Sequence, residues 1–172
     1  MRMIGILRCE TPLGGCLLAG DEAALTGLWF EGAKHFARTL PKDARACRLS
    51  VLTDTEAWLR AYFAGARPDP REIPLRTQGS EFEQAVWALL REIPCGQTTT
   101  YGALAARIAA ERGLSHMSAQ AVGGAVGRNP IAILIPCHRV LGADGSLTGY
   151  AGGLAAKRFL LAHEDALGKN RD

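Results

Sequence analysis

The residues of this sequence best suited to chemistry are Cys137, His138 and Arg139, which are consecutive. A thiolate is a strong nucleophile, and positive neighbours favour it over the thiol, so we expect Cys137 to ionise readily. Adjacent side chains rarely point the same way, which favours a water-bridged proton transfer to His138 over direct contact. A buried structural cysteine beside a surface histidine is the alternative, and the triplet alone leaves it open.

The remaining cysteines form no recognisable site. The five cysteines are an odd number, they are scattered, and no two have C-x-x-C spacing: Cys9, Cys16, Cys47, Cys95 and Cys137. This pattern is typical neither of a zinc site nor of a disulfide framework. We therefore expect reduced thiols.

The composition is that of a globular protein, with 48% hydrophobic and 22% charged residues. No apolar run approaches the ~18 residues of a membrane span, and the first apolar stretch is too short for a secretory signal. We therefore expect a cytoplasmic protein with no membrane association. The net charge of +3 falls entirely on residues 91–172, which is consistent with phosphate contacts without being specific for them.

The first part of the chain is predicted to form a small sheet with one helix. Apolar runs at residues 4–9, 16–19 and 25–30 are separated by turn-forming residues and indicate strands. Four large apolar side chains at helical spacing predict a helix over residues 54–64. Residues 65–79 contain three prolines and no periodicity, which makes them the candidate linker.

Beyond the linker the pattern is mainly helical. Ser80 and Glu83 have the spacing of a capping box, in which two side chains satisfy backbone N–H groups at a helix start. Thr100 can cap a second helix over residues 101–110, and Ser118 a third that ends near Gly127. Two short helices around a tight connection indicate a helix-turn-helix.

Two local patterns flank the reactive cysteine. The third helix contains the adjacent pair Gly123 and Gly124, each costing about 1 kcal/mol relative to alanine. Tight packing against another helix and close approach of a nucleic-acid backbone explain them equally well. Residues 131–134 are apolar and predict a buried strand that leads into the turn at Cys137.

Longer runs around Cys137 resemble a known family. They are Ile-Pro-Cys-His-Arg-Val at 135–140, Gly-Tyr-Ala-Gly-Gly at 149–153, Lys157, and Leu-Leu-Ala-His-Glu at 160–164. Together they closely resemble the O6-alkylguanine-DNA alkyltransferases, also called methylated-DNA–protein-cysteine methyltransferases. The resemblance is strong from Ser80 to about Leu167 and weaker over residues 1–79.

This resemblance implies a fold and an activity. The fold is an α/β, ribonuclease H-like domain over residues 1–78 and a mainly α, winged helix-turn-helix-like domain over residues 79–172. The activity is DNA repair by single-turnover transfer of an alkyl group to the protein's own cysteine from guanine O6, with thymine O4 as an additional candidate atom. The implied partner is double-stranded DNA with an alkylated base, bound through its minor groove by a monomer. No cofactor or metal is implied.

The resemblance also assigns the chemistry to four residues. Cys137 matches the nucleophile, and His138 matches the base that removes the thiol proton through a water. Glu164 matches the carboxylate that orients this histidine. Tyr101 matches the tyrosine that donates a proton or hydrogen bond to the departing guanine.

Other positions match residues that bind the lesion and the DNA. Tyr150 and Ala151 match a loop that closes on O6, and the carbonyls of Cys137 and Val140 match acceptors for the guanine amino group. Asn129 matches an asparagine that braces two segments. The predicted DNA-binding residues are Ser118, Ala119, Gln120, Ala121, Gly123 and Arg139.

The sequence departs from the family at three places. Gln120 stands where an arginine commonly fills the gap left by a flipped base; glutamine can fill space and hydrogen-bond, but it brings no charge. The connection at residues 111–117 is a few residues longer than usual. Where some members have N-terminal zinc ligands, this chain has Asp21 and Thr26, so we expect no zinc.

Two other functional classes compete with alkyl transfer. A DNA-lesion binder or helix-turn-helix regulator would not need the Pro-Cys-His-Arg turn or Glu164. A Cys-His hydrolase would need an oxyanion-hole element, and none is apparent in the sequence. Alkyl transfer therefore remains the leading hypothesis.

Overall fold

The computed structural model describes residues 2–165, which form two compact units. The first comprises the chain up to Gln78 together with Pro130–Ala132, and the second comprises Gly79–Asn129 and the chain from Ile133 onward. Residues 166–172, which include the end of the predicted second domain and of the family resemblance, lie outside the described residues. No helix within the described part of the chain is long and apolar enough to cross a bilayer.

Pro130–Ala132, which fall within the predicted second domain, cluster with the first compact unit. Their backbone extends the edge of the first unit's sheet, because the Leu28 N–H donates to the Pro130 carbonyl at 2.9 Å. The Ala132 N–H donates in turn to the Leu28 carbonyl at 3.0 Å. Backbone pairing of this kind cannot be recognised from the local sequence.

The sheet of the first unit has the strand order β3-β2-β1-β4. The strands are β1 (Gly5–Thr11), β2 (Gly14–Gly20), β3 (Leu25–Phe30) and β4 (Arg45–Ala46). β1 to β3 form an antiparallel meander, and β4 pairs parallel to β1. The three predicted strands are confirmed, whereas the two-residue β4 is too short to have left a pattern.

Helix α1 (Ser50–Phe63) covers this sheet. It begins four residues before its predicted start because Val51 and Leu52 are buried and continue the apolar stripe. Part of the predicted linker is not a linker but a segment of this unit. The Leu25 N–H donates to the Pro74 carbonyl at 2.8 Å, and the Arg76 N–H donates to the Leu25 carbonyl at 2.9 Å.

The second unit contains the helices α2 (Glu81–Leu90), α3 (Tyr101–Glu111), α4 (Ala119–Gly127) and α5 (Leu154–His163), and the paired parallel strands β5 (Thr99–Thr100) and β6 (Val140–Leu141). The three predicted caps are confirmed. Ser80 and Glu83 make both hydrogen bonds of the capping box, at 3.1 and 2.9 Å. Thr100 caps α3 and Ser118 caps α4.

Two side chains of α2 hold α4 in place. The Trp87 indole Nε1 donates to the Ala125 carbonyl at 2.9 Å, and Glu83 accepts from Arg128 Nε at 2.7 Å. Glycine is not required by this packing at position 123, where a Cβ would make an ordinary 3.6 Å contact with the Tyr101 ring. A Cβ on Gly124 would lie 3.3 Å from Nη1 of Arg128, the side chain that pairs with Glu83.

The predicted buried strand over residues 131–134 was wrong. Only an isolated bridge forms, at Ile131, and the chain then turns because Ile133 takes a left-handed backbone conformation with φ of +67°. Ile131, Ile133 and Leu134 are nevertheless buried, so the apolar pattern correctly indicated burial. The turn brings Pro136 and Cys137 into the second unit.

The capping box gives a stability prediction. Replacing Ser80 by alanine removes the acceptor for the Glu83 N–H, so we expect Ser80→Ala to lower the free energy of unfolding by about 1 kcal/mol. Ser115→Ala, the same chemical change at an exposed loop position, is the control and should change it little. Equal unfolding free energies for the two variants in urea titrations would contradict the assigned cap.

Candidate active site

Cys137 begins a single 3-10 turn, Cys137–Arg139, that leads directly into β6. The turn is fixed on one side by a backbone hydrogen bond and on the other by the Asn129 side chain. The Val140 N–H donates to the Cys137 carbonyl, and Asn129 Nδ2 donates to the Ile135 carbonyl at 2.7 Å. The thiol itself is buried, with a residue exposure of 6%.

Glu164 is the centre of a buried polar network next to this turn. Its Oε2 lies 2.8 Å from His138 Nε2, and both residues are buried. Arg139 Nε donates to Oε1 at 2.8 Å and Arg139 Nη2 donates to Oε2 at 3.0 Å. The remaining guanidinium nitrogen, Nη1, donates to the Ile93 carbonyl at 2.6 Å. Glu164 therefore accepts a two-pronged ion pair and holds the histidine ring.

This network sets the protonation states of its members. Burial alone would raise the pKa of Glu164, but the hydrogen bonds from His138 and Arg139 outweigh it and hold that pKa well below its usual range. Burial lowers the pKa of His138, against the opposing effect of Glu164. His138 is thus a neutral imidazole at pH 7, and Glu164 is a carboxylate. With Nε2 facing Glu164, the buried Nδ1 has no protein partner within residues 2–165.

The thiol is less acidic than its sequence neighbours suggested. Burial raises the pKa of Cys137 and outweighs the lowering effects of Asn129, the Lys157 charge and Tyr150. The expectation of a readily ionised cysteine was therefore wrong for the resting site. Because burial disfavours every charged form, the resting pair is a neutral thiol and a neutral imidazole.

A buried lysine forms the opposite side of the site. Lys157 is fully buried on α5, and burial lowers the pKa of Lys157 to about 8, against the opposing effect of Cys137. Its Nζ donates to the Thr148 carbonyl at 2.8 Å and lies 3.5 Å from the Tyr101 hydroxyl oxygen. The Tyr101 hydroxyl also donates to the Thr148 carbonyl, at 2.9 Å. Lysine and tyrosine therefore share one acceptor on the loop before Tyr150.

Both tyrosines of the site are neutral phenols, with the hydroxyl proton in place. Burial and the proximity of Cys137 raise the pKa of Tyr101, and the same two causes raise that of Tyr150 further. The Tyr150 hydroxyl is buried and has no partner of normal hydrogen-bond geometry in the described structure. A second donor is therefore available beside the sulfur.

The structure thus brings together most of the residues assigned to the reaction: Cys137, His138, Glu164, Tyr101, Tyr150, Asn129 and Val140. Ala151 is partly buried next to Tyr150 in the chain. Lys157 belongs to the runs that resemble the family, but no role was predicted for it. Its spacing to Leu160, Leu161 and Glu164, at i+3, i+4 and i+7, places it on the buried face of α5 and was the signal for its role.

The residues predicted to bind DNA fall into two groups. Ser118, Ala119, Gln120 and Ala121 are exposed at the start of α4, and Gly123 is partly buried one turn further along. Arg139 is different, because it is 8% exposed and its guanidinium is committed to Glu164 and Ile93. The structure therefore places Arg139 inside the network that orients His138 and not on a surface for DNA. No group of three or more potential metal ligands occurs within residues 2–165.

The fold and this site together define a class of protein. A helix-turn-helix unit carries a buried cysteine next to a histidine–glutamate pair, which is the arrangement of a DNA-binding protein that acts through a thiol. Residues 8–77 match the ribonuclease-like domain of 6-O-methylguanine DNA methyltransferase, and residues 81–166 match its DNA binding domain. The chain belongs to the 6-O-methylguanine DNA methyltransferase family.

Individual relatives agree with this assignment. The chain is 43% identical to a methylated-DNA–protein-cysteine methyltransferase of Haemophilus influenzae, over 90% of this chain and 82% of that protein. It is 44% identical to a methylated-DNA–protein-cysteine methyltransferase of Methanosarcina mazei, over 91% of this chain and 94% of that protein. The crystal structure of Mycobacterium tuberculosis OGT in complex with DNA matches with a TM-score of 0.78 at 38% identity, covering 95% of this chain and 93% of that chain.

These findings confirm the predicted family, the two-domain fold and the enzyme class. The function of this protein is DNA repair by transfer of an alkyl group to its own cysteine, and DNA is its partner.

The histidine geometry can be checked directly. Because Nε2 faces the Glu164 carboxylate, we expect His138 to carry its proton on Nε2 and to remain neutral at pH 7, with its pKa below the ordinary 6.5. Long-range ¹H–¹⁵N NMR of the imidazole rings distinguishes the two tautomers, and the His138 signal can be assigned by its loss in His138→Gln. A proton on Nδ1, or protonation of the ring above pH 6.5, would contradict this arrangement.

Proposed function

We propose that this protein removes the alkyl group from O6-alkylguanine in double-stranded DNA and keeps it on Cys137. The observation that supports this assignment is the hydrogen bond of 2.8 Å between His138 and Glu164 beside the buried thiol. Of the five cysteines, Cys137 is followed by a base that a carboxylate holds in a fixed tautomer. That combination is what a thiol with a raised pKa requires in order to act as a nucleophile.

The proton of the thiol leaves through the histidine. His138 Nε2–H donates to Glu164, so Nδ1 is the basic nitrogen, and it accepts the Cys137 proton through a water. Glu164 then stabilises the imidazolium that forms, because it stays ionised through its pair with Arg139. Arg139 acts here as a positioning residue for the carboxylate.

The departing guanine needs a proton or a strong hydrogen bond. As Cys137 Sγ bonds to the alkyl carbon, the bond from that carbon to O6 breaks and its electron pair stays on the base. Tyr101 is a neutral phenol whose proton points to the Thr148 carbonyl, and the Lys157 ammonium donates to the same carbonyl. Lys157 can satisfy the Thr148 carbonyl alone, which frees the Tyr101 hydroxyl to donate to the departing base.

The first turn of α4 is the surface we assign to the DNA. Its exposed residues are small apart from Gln120, and Gly123, which follows, is not needed for packing within the unit. Small side chains let a helix backbone approach the walls of the narrow minor groove, where the flipped nucleotide leaves a gap for Gln120. Since nucleophile, base and carboxylate all lie in one unit of one chain, we propose that a monomer acts on each lesion.

The decisive experiment uses an oligonucleotide duplex that contains O6-methylguanine. After incubation with equimolar protein, the intact mass should rise by one CH₂ group, and peptide mapping should place it on Cys137. Cys137→Ser should bind the duplex and gain nothing, whereas Cys95→Ser should behave as the wild type.

Other results would select one of the competing functions. Binding of the lesion with no change in protein mass would indicate a lesion binder. A methyl group on a different cysteine would overturn the assignment of Cys137, and repeated turnover of an ester or amide would indicate a hydrolase.

The buried lysine gives a rate prediction. Lys157→Met removes the positive charge that lowers the pKa of Cys137 and so favours its thiolate. We therefore expect methyl transfer at saturating DNA to slow by about tenfold, which corresponds to about 1.4 kcal/mol in the activation free energy. Arg158→Met, the same loss of charge at the exposed neighbouring residue, is the control and should transfer at the wild-type rate. Equal rates for all three proteins, with equal thermal stability, would show that Lys157 does not assist the thiol.

Gln120 gives a prediction about binding. We expect Gln120→Arg to retain repair and to bind duplex DNA more tightly, with the largest gain at low salt, because one added phosphate contact steepens the fall of log K with log salt by about 0.9. Ala66→Arg adds the same charge at an exposed position of the first unit and is the control. If Gln120→Arg changes neither binding nor repair rate, Gln120 does not occupy the gap.

A further inference from the structure

Two cysteines of the first unit face each other across the hairpin of β1 and β2. Cys9 is directly opposite Cys16 in the antiparallel register, so both side chains lie on the same face of the sheet. Their Sγ atoms are 2.6 Å apart, whereas a disulfide bond measures about 2.05 Å. The two sulfurs are thus placed for bond formation with little movement of either strand.

The two thiols are not equivalent. Cys16 is fully buried, whereas Cys9 keeps an exposure of 9% at the rim of the face covered by α1. The contact with Cys16 lowers the pKa of Cys9, although burial and the carboxylates of Glu56 and Glu10 oppose this; Arg60 acts in the lowering direction. The same contact, together with burial, raises the pKa of Cys16. Cys9 is therefore the accessible, more acidic thiol, and Cys16 is the partner behind it.

We propose that Cys9 and Cys16 are a modification site of their own: a dithiol that hydrogen peroxide oxidises to a reversible cross-strand disulfide. Peroxide is small enough to reach a sulfur at the rim of a covered sheet. The Cys9 thiolate attacks one peroxide oxygen, the O–O bond breaks, and hydroxide leaves Cys9 as a sulfenic acid. Cys16 sulfur then attacks Cys9 sulfur, and the sulfenic oxygen leaves as water. The pair loses two hydrogens and two electrons, and the peroxide becomes two waters.

This chemistry is separate from alkyl transfer. The dithiol belongs to the first unit and Cys137 to the second, and no step of the alkyl transfer proposed above uses either hairpin cysteine. The two modifications also leave different masses on different peptides. Failure of one proposal therefore does not imply failure of the other.

The test uses full-length protein that has been reduced with dithiothreitol and freed of the reagent. One half is treated with hydrogen peroxide, and both halves are then denatured in acid, alkylated with iodoacetamide in denaturant and digested with trypsin. Cleavage after Arg8 and Lys34 places both cysteines on one peptide, residues 9–34. After peroxide we expect this peptide to be unalkylated and two hydrogens lighter, and after renewed dithiothreitol to accept two alkyl groups.

Variants test whether this pairing is specific. Cys47→Ser and Cys95→Ser should still form the cross-link. Cys9→Ala should leave Cys16 free to be alkylated, whereas Cys16→Ala should leave Cys9 as a sulfenic acid with no cross-link. The wild-type digest decides the matter even if a variant folds poorly. Two alkyl groups on residues 9–34 after peroxide, a sulfinic acid at Cys9, or a cross-link to any other cysteine would overturn the proposal.

Discussion

The arrangement of the site depends on one buried carboxylate. Glu164 accepts hydrogen bonds from Arg139 on one side and faces His138 Nε2 on the other, all within a region from which water is largely excluded. A charge in such a place is costly unless it is paired and hydrogen-bonded, and here two oxygens face three nitrogen atoms. Because the carboxylate fixes the ring through Nε2, the basic lone pair of the histidine lies on Nδ1. The direction of proton transfer follows from that choice.

Burial then decides how the nucleophile works. The same exclusion of water that strengthens the Glu164 network raises the pKa of Cys137 and lowers that of His138. The resting site therefore holds no thiolate–imidazolium ion pair. In the proposed mechanism the neutral Cys137 thiol becomes nucleophilic as His138 removes its proton. Lys157 and Asn129 offset part of the effect of burial, which makes them supports of the thiolate once it forms.

The helix assigned to DNA binding shows a different constraint. α4 is held from behind by Trp87, by the Arg128–Glu83 pair and by its own buried face of Val122, Ala125 and Val126. This arrangement leaves the exposed turn free to be small, and adding a Cβ at Gly123 would make only an ordinary contact with the Tyr101 ring. Support from α2 thus allows a composition that would be poor for an isolated helix.

How much of this was predictable depends on how far apart the interacting residues lie in the chain. The capping residues Ser80, Thr100 and Ser118 were predicted correctly because a cap involves residues only three positions apart. The strands were found because an apolar run is also a pattern of near neighbours in the chain. The triplet of Cys137, His138 and Arg139 was noticed because its members are adjacent. The sequence by itself therefore determined the first four helices, the three long strands and the family, and it predicted which thiol reacts. Tertiary structure alone decided which groups surround that thiol. It paired Arg139 with Glu164, 25 residues away, and buried Lys157 beside Tyr101. It also turned residues 131–134 out of an extended strand and set Cys9 against Cys16. Each of these depends on burial and on contacts across the fold, and no local pattern of residues encodes how strongly water is excluded from a folded site.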